Sequence, residues 1–292
     1  MSTTASTTMT LRGHEFRWGQ RTILMGVLNV TPDSFSDGGQ FQTVDAAISQ
    51  AKHLAASGAD IIDIGGQSTR PNAEDVSLEE ELARVLPVIT ALRKDEDFNT
   101  PISIDTMKSA VAEAAIKAGA DLVNDVSGAL FDPAMLPTVA GLGVPIVLMH
   151  MRGTPQTMQQ LTEYIDLIEE ICEFLEQRAE VAIAAGIDRA KIILDPGIGF
   201  AKTFAQNLDI LRYLTRIRTL GYPLLVGPSR KSFIGHILEQ PDPQKRVWGT
   251  AAACCAAIAN GADILRIHDV HELRDTCRVA DAIWRVPDSS AT

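Results

Sequence analysis

The unit that recurs along this chain reads Ala55-Ala56-Ser57-Gly58-Ala59-Asp60-Ile61-Ile62-Asp63-Ile64-Gly65. Its alanine-rich start is typical of the end of a helix, and Gly58 suits the left-handed position that terminates one. The isoleucine run that follows is typical of a buried β-strand. Similar segments start at Ala118 and Ala259, and each of their strands ends in polar residues. The chain therefore repeats a helix-to-strand unit.

Further apolar runs bring the number of predicted strands to eight: besides the recurring unit they cover residues 23–28, 101–104, 144–149, 191–194 and 223–227. Helix patterns separate most of them, over residues 43–57, 77–94, 106–118, 161–185 and 205–220. Near-continuous apolar strands that alternate with helices predict an α/β fold, a (β/α)8 TIM barrel. A doubly wound open sheet is the alternative. No GxGxxG motif follows any strand, which disfavours a dinucleotide-binding sheet.

We expect one barrel domain, residues 11–286, between two tails. Residues 1–10 are rich in Ser and Thr and are predicted to be a disordered tail. Residues 287–292 are the predicted C-terminal tail. Weak alternation over residues 11–21 predicts a short N-terminal hairpin that plugs the amino-terminal end of the barrel.

Composition excludes several classes of partner. The net charge of −11 argues against a nucleic-acid-binding surface. No apolar run reaches the ~20 residues that cross a bilayer, so we expect no membrane partner. The four cysteines form no CxxC pair. They are expected to be reduced packing residues, which predicts a cytoplasmic location.

Polar residues stand where the predicted strands end, in the order Asn29, Asp63, Asp105, Asn124 with Asp125, His150, Asp195, Ser229-Arg230-Lys231, and Arg266 with His268. In a closed barrel of parallel strands we expect all of them to point to one mouth. Any one of them has a structural alternative; Asp63, for example, could accept hydrogen bonds from neighbouring loop amides. Together they favour a polar site, because buried carboxylates are costly without partners.

Two basic clusters and a third segment that contains an arginine indicate anion binding in an otherwise acidic chain. They are residues 229–232 (SRKS), 266–268 (RIH) and 67–71 (QSTRP). Arginine, hydroxyl groups and a helix amino terminus together bind phosphate or carboxylate. A solvated surface pattern is the alternative for each cluster.

The sequence resembles the dihydropteroate synthase family in eight motifs that follow the family's order. They are residues 29–39 (NVTPDSFSDGG), 63–71 (DIGGQSTRP), 103–106 (SIDT), 124–128 (NDVSG), 149–151 (MHM), 195–200 (DPGIGF), 229–232 (SRKS) and 266–270 (RIHDV). The resemblance implies a (β/α)8 barrel, usually a homodimer, assisted by Mg²⁺. It implies that 6-hydroxymethyl-7,8-dihydropterin diphosphate and 4-aminobenzoate are joined to give 7,8-dihydropteroate and diphosphate in folate synthesis.

The resemblance also implies roles for individual residues. The pterin would be bound by Asp105, Asn124, Met149, Asp195, Lys231 and Arg266. The diphosphate would be bound by Asn29, Arg266 and His268, with Asn29 also at the metal ion. The aminobenzoate would be bound by Phe35, Thr69, Arg70, Pro71, Phe200 and Ser232. The catalytic groups would be Asp105, Lys231, Arg266 and His268.

We expect a dissociative displacement, in which diphosphate leaves before the aminobenzoate nitrogen attacks. The loops at residues 31–39 and 67–74 are expected to close and exclude water. Three positions depart from common family residues, namely Gln67, Asn72 and Ala201. Two alternatives are a pterin-binding methyltransferase barrel, which needs no diphosphate site, and a non-catalytic paralogue, which would be expected to lose site groups.

Overall fold

The structure, a computed structural model, describes residues 8–31, 40–68 and 75–285. Two strands, β1 (Thr8–Leu11) and β2 (His14–Arg17), form an antiparallel hairpin. Eight parallel strands follow: β3 (Ile23–Asn29), β4 (Ile61–Gly65), β5 (Ile102–Asp105), β6 (Leu122–Asp125), β7 (Ile146–Met149), β8 (Ile192–Asp195), β9 (Leu225–Val226) and β10 (Ile264–Ile267). The predicted number of barrel strands is confirmed.

Helices lie between the strands. They are α1 (Gln40–Ala56), α2 (Leu78–Lys94), α3 (Ser109–Ala118), α4 (Met135–Leu142), α5 (Leu167–Ala184), α6 (Phe204–Arg212), α7 (Leu214–Arg218), α8 (Ser232–Ile237), α9 (Val247–Ala259) and α10 (Val270–Trp284). The helix predicted over residues 161–185 starts later, at Leu167, because Asp166 caps it by accepting from the amides of Ile168 and Glu169. Within the described ranges, no helix is long and apolar enough to cross a membrane.

The eight strands close into a nearly complete barrel. Their order is β8-β7-β6-β5-β4-β3-β10-β9. A bridge between Leu194 and Leu224, with a 3.0 Å bond from the Leu194 amide to the Pro223 carbonyl, joins the two ends of this order. The predicted (β/α)8 barrel is confirmed, and the open sheet is excluded.

On most of the barrel strands the apolar residues alternate between two clusters. On β4, Ile61 packs inside the barrel, whereas Ile62 and Ile64 pack in the cluster that the helices share. The inner cluster fills the amino-terminal end of the barrel with residues such as Met25, Leu122 and Val147. Above this layer, toward the carboxyl ends of the strands, most of the inward positions are polar.

The hairpin closes the amino-terminal end, as predicted. Met9, Leu11 and Phe16 are buried in the inner cluster of the barrel. The predicted tail boundary is wrong at its last residues, because β1 already begins at Thr8. The reason is the packing of Met9, which is only 6% exposed beneath the barrel.

Candidate active site

Strand alternation sorts the polar strand-end residues onto two sides of the barrel wall. Successive side chains of a strand point to opposite faces. The inner face therefore receives Asn29, Asp63, Asp105, Asn124, Met149, Asp195, Arg266 and His268. Asp125 and His150 follow inward residues directly and so lie on the outer face. The prediction that every strand-end group points to the mouth is thus wrong for these two.

Arg266 is the centre of the inner group. Its Nε donates to Oδ2 of Asp63 at 2.6 Å, and its Nη2 donates to Oδ2 of Asp105 at 2.6 Å. Asn124 Nδ2 donates to the same Asp63 oxygen at 3.1 Å. Asp63 is fully buried and Asp105 is 6% exposed. One guanidinium therefore joins β4, β5 and β10 across the barrel, and it does so with charge-assisted bonds.

The charges of this group perturb one another. Burial raises the pKa of Asp105, Arg266 opposes the shift, and the nearby Asp63 charge adds to it. Burial lowers the pKa of Arg266, but Asp63 and Asp105 raise it by more, so the guanidinium stays charged. Burial also raises the pKa of Asp195 to about 6, against the Gly197 amide and the charges of Lys231 and Lys202. Shifted carboxylates in a concave polar site are typical of functional groups.

An apolar wall adjoins these charges. Met149, at the end of β7, packs in a cluster with Met107, Val126, Met151 and Phe200. The ammonium of Lys231 lies 4.3 Å from the centroid of the Phe200 ring, a cation–π contact. The wall and the polar group together form a surface suited to a flat, polar, aromatic ring.

Three further predicted residues lie on the same rim. His268 donates its backbone amide to Ser229 Oγ at 3.1 Å, and its Nδ1 lies 3.0 Å from the same oxygen. Asn29 is the half-buried last residue of β3. Ser232 is exposed at the start of α8. Four other predicted residues, Phe35, Thr69, Arg70 and Pro71, lie outside the described residues.

Asp125 and His150 make their contacts on the outer side of the barrel wall. Oδ1 of Asp125 accepts from the amide and the hydroxyl of Ser127, which shapes the loop after β6. Nδ1 of His150 lies 2.9 Å from Nζ of Lys202, and the His150 ring makes an edge contact with Phe174 on α5. Burial and the Lys202 charge lower the pKa of His150 to about 2, so the ring is neutral.

The sequence reasoning assigned no role to Asp63 or Lys202. Asp63 was expected at the mouth with the other strand-end residues, and it holds both Arg266 and Asn124. Its signal was available, because a carboxylate inside an otherwise apolar buried strand needs a cation or donors. Lys202 is buried and donates to the Phe200 carbonyl at 2.9 Å. Nothing in its local sequence indicates burial.

The departure at Ala201 has a visible consequence. Its φ of 51° lies in the left-handed region, which glycine adopts more readily than alanine. Tyr164 donates its hydroxyl to the Ala201 carbonyl at 2.9 Å, and the Ala201 side chain is buried. This bond and the buried methyl group hold the loop in a conformation that costs alanine some strain. Gln67 accepts from Lys108 Nζ at 2.7 Å, and Asn72 is outside the described residues.

The site offers few ligands for a metal ion of its own. In the part of the chain that the structure describes, no group of three or more His, Cys, Asp or Glu side chains is arranged to hold a metal. Mg²⁺ commonly takes one or two protein oxygens and completes its shell with water and substrate phosphates. The amide oxygen of Asn29 at the rim fits such a partial shell.

Comparisons with known proteins agree with this geometry. A family model described as pterin binding enzyme matches residues 25–268. A dihydropteroate synthase of Synechocystis sp. is 60% identical over 270 residues, which cover 92% of this chain and 93% of that protein.

Solved structures agree as well. A Xanthomonas albilineans dihydropteroate synthase with 4-aminobenzoic acid superposes with a TM-score of 0.89 at 43% identity, over 97% of this chain and 100% of that one. The same organism's enzyme in complex with 7,8-dihydropteroate gives a TM-score of 0.85 at 42% identity, over 96% and 100% of the two chains. The barrel, the inward polar group and these similarities agree that the chain belongs to the dihydropteroate synthase family of pterin-binding enzymes.

Proposed function

We propose that this chain joins 6-hydroxymethyl-7,8-dihydropterin diphosphate to 4-aminobenzoate and releases 7,8-dihydropteroate and diphosphate. The observation that carries the proposal is Arg266, held between two buried carboxylates two residues before His268 on the rim. A planar cation in this position can lie against a ring and reach an anion beside it. The substrate has both features.

The pterin is bound by complementary donors and acceptors. The carboxylates of Asp105 and Asp195 accept from the N–H groups of the pterin, while Asn124 both donates and accepts. Lys231 donates to the acceptor atoms of the ring. Met149 packs against its face. The burial of Asp105, Asn124 and Asp195 supports these roles, because buried groups of this kind require polar partners.

The diphosphate is bound by Arg266, His268 and Asn29, which lie at neighbouring strand ends. Asn29 would also hold Mg²⁺, which would supply charge neutralisation to the leaving group. The bond between the methylene carbon and the diphosphate oxygen breaks first, and the electron pair leaves with the diphosphate. Arg266 and His268 stabilise the charge that develops on that oxygen.

The cation left on the methylene carbon is delocalised into the dihydropterin ring. Asp105 stabilises it electrostatically, since its carboxylate is held in place by Arg266. The aminobenzoate nitrogen then attacks this carbon and releases a proton to solvent. Phe200 and Ser232 bind the aminobenzoate, together with Phe35, Thr69, Arg70 and Pro71, whose assignment rests on sequence alone.

The protein acts as a homodimer through α9 and α10. Large apolar side chains are exposed on these helices, including Trp248 (73% exposed), Val279 (61%) and Ile283 (64%). Exposed apolar groups of this size in one region are typical of protein–protein interfaces. Sedimentation of the wild type and of Trp248→Ser tests the proposal; a dimer that the substitution weakens supports it, and a monomeric wild type contradicts it.

A reducing compartment suits the cysteines. Cys172, Cys254 and Cys277 are buried free thiols, and Cys255 is a half-buried one. Burial raises the pKa of Cys172 to about 11 and that of Cys277 to about 12, which keeps both thiols protonated and unreactive. We place the protein in the cytoplasm.

Diphosphate release tests the reaction directly. We expect release from the purified protein only when dihydropterin diphosphate, 4-aminobenzoate and Mg²⁺ are all present, with dihydropteroate formed in equal amount. Asp132 lies on the loop before α4 and has no role in the proposed reaction, so Asp132→Asn should keep full activity. A folded wild type that releases no diphosphate under these conditions contradicts the proposal.

A further inference from the structure

Arg230 has a backbone conformation that its neighbours must hold in place. Its φ is 60°, in the left-handed region that side-chain-bearing residues adopt rarely. Such residues persist where surrounding contacts determine them, and they concentrate at functional sites. Arg230 stands between Ser229 and Lys231, in the loop between β9 and α8.

Three separate elements hold Arg230. Its amide donates to Thr250 Oγ1 on α9 at 3.1 Å, and its carbonyl accepts from Arg246 Nη1 at 2.9 Å. Its guanidinium is paired with Asp269 by two bonds, Nε to Oδ2 at 3.0 Å and Nη2 to Oδ1 at 2.5 Å. The two parallel bonds of a guanidinium to a carboxylate fix orientation as well as distance.

The partner of Arg230 follows another site residue directly. Asp269 comes after His268 and precedes α10, so the ion pair connects the residue before Lys231 with the residue after His268. A second connection joins the same two loops, since Ser229 Oγ bonds both the amide and Nδ1 of His268. The two loops follow β9 and β10, which are neighbours in the barrel.

The left-handed turn at Arg230 also directs its neighbours to different targets. Ser229 reaches His268, while the ammonium of Lys231 lies over the Phe200 ring. An extended or helical Arg230 would rotate Lys231 relative to Ser229. The ion pair therefore stabilises the one backbone conformation in which both neighbours reach their partners.

We propose that the Arg230–Asp269 ion pair is a positioning device, which holds Lys231 and His268 at a fixed separation on two neighbouring loops at the mouth of the barrel. Neither Arg230 nor Asp269 touches substrate in this proposal. It rests on the proposed function, in which Lys231 binds the pterin and His268 binds the diphosphate of one substrate molecule. A fixed separation matters because that molecule must engage both residues at once.

A double-mutant cycle tests the device, with Arg230→Gln, Asp269→Asn and the double variant. We expect each single substitution to lower kcat/KM for dihydropterin diphosphate by about 10- to 100-fold. The double variant should lose no more than either single variant, because both remove the same connection. Arg230→Lys keeps the charge but not the paired bonds, and we expect it to recover only part of the loss.

Binding of pieces of the substrate separates positioning from a general loss of structure. We expect each variant to bind 6-hydroxymethylpterin or inorganic diphosphate alone within about threefold of the wild type, because each piece engages only one side of the device. The exposed pair Asp209 and Arg212 on α6 provides matched controls away from the proposed dimer interface. Asp209→Asn and Arg212→Gln should leave kcat/KM unchanged.

Each outcome bears on the proposal. The proposal would be overturned if the single variants stayed within twofold of the wild type in kcat/KM, or if their losses multiplied in the double variant. A fall in melting temperature large enough to explain the lost activity by unfolding would also overturn it. If Asp269→Asn fails to fold, Arg230→Lys carries the same test, and full activity in that variant would refute the requirement for paired bonds. An inactive wild type would instead contradict the proposed function.

Discussion

Arg266 donates through Nε to Oδ2 of Asp63 at 2.6 Å, although 203 residues separate the two along the chain. The contact crosses from the last strand of the barrel to the second and is buried on the Asp63 side. Asp63 also holds Asn124, so one carboxylate orients two of the residues proposed to bind the pterin. The arrangement of the inner polar group therefore depends on Asp63.

We expect Asp63→Asn to destabilise the fold by about 3 kcal/mol, because removing one partner of a buried ion pair leaves the other incompletely compensated. Arg266 would keep its ion pair with Asp105 but lose the one with Asp63. Urea unfolding of the two proteins measures the difference. Asp209→Asn, on an exposed pair of α6, should leave the unfolding midpoint unchanged. An Asp63→Asn midpoint equal to that of the wild type would show that the pair contributes nothing to stability.

Asp105→Ala should lower kcat by about 100-fold, because a preorganised charge that faces the developing cation acts chiefly in the transition state. The affinity for 6-hydroxymethylpterin should fall by much less, since Asn124 and Asp195 remain. Steady-state kinetics and calorimetry measure the two quantities. Equal losses in turnover and affinity would refute the electrostatic role and leave Asp105 as a binding residue only.

The affinity for a pterin should fall as the pH is lowered through about 6. Burial raises the pKa of Asp195 to about 6, and its carboxylate accepts from pterin N–H groups only when it is ionised. Calorimetry with 6-hydroxymethylpterin, which carries no phosphate, avoids titration of the diphosphate. In Asp195→Asn the affinity should be weaker and less dependent on pH between 5 and 7. An unchanged pH dependence in that variant would assign it to another group.

Because of Lys202, we expect the free energy of unfolding to increase as the pH rises. Burial lowers the pKa of Lys202 to about 7 in the folded protein, from an ordinary value of 10.5. Between these values the unfolded chain binds the proton and the folded protein does not, so raising the pH favours folding. The free energy of unfolding of the wild type minus that of Lys202→Met should therefore rise by up to about 1.4 kcal/mol per pH unit above pH 7.

Urea unfolding at several pH values between 6.5 and 9.5 measures this difference. Lys117→Met removes an exposed lysine and serves as the control. Its unfolding curves should keep a constant offset from those of the wild type. A constant offset in Lys202→Met as well would mean that Lys202 does not titrate in this range.

Asn29→Ala should raise the Mg²⁺ concentration that gives half-maximal activity, because it removes the protein oxygen proposed for the metal. The maximal rate at saturating Mg²⁺ should fall less, since phosphate oxygens and water supply the rest of the shell. A titration of activity against Mg²⁺ measures both. An unchanged half-maximal concentration would remove Asn29 from the metal site.

The errors of the sequence reasoning have physical causes. Asn124 and Asp125 are adjacent on β6, so only one of them can face the interior, and His150 follows the inward Met149 for the same reason. Strict alternation applied to the sequence would have assigned the two residues of each adjacent pair to opposite faces of the barrel wall. The burial of Lys202 could not be predicted, because its partners, the His150 ring and the Phe200 carbonyl, depend on how two loops meet.

By itself the sequence determined the barrel, the end at which its polar residues gather and the resemblance to one family. Apolar periodicity and the residues at strand ends are local properties, so they can be identified in the sequence without a tertiary structure. Only the tertiary structure decided that Arg266 is held by Asp63 and Asp105, and that Arg230 is paired with Asp269. These pairs depend on barrel closure and strand register, which set distances between residues far apart in the chain.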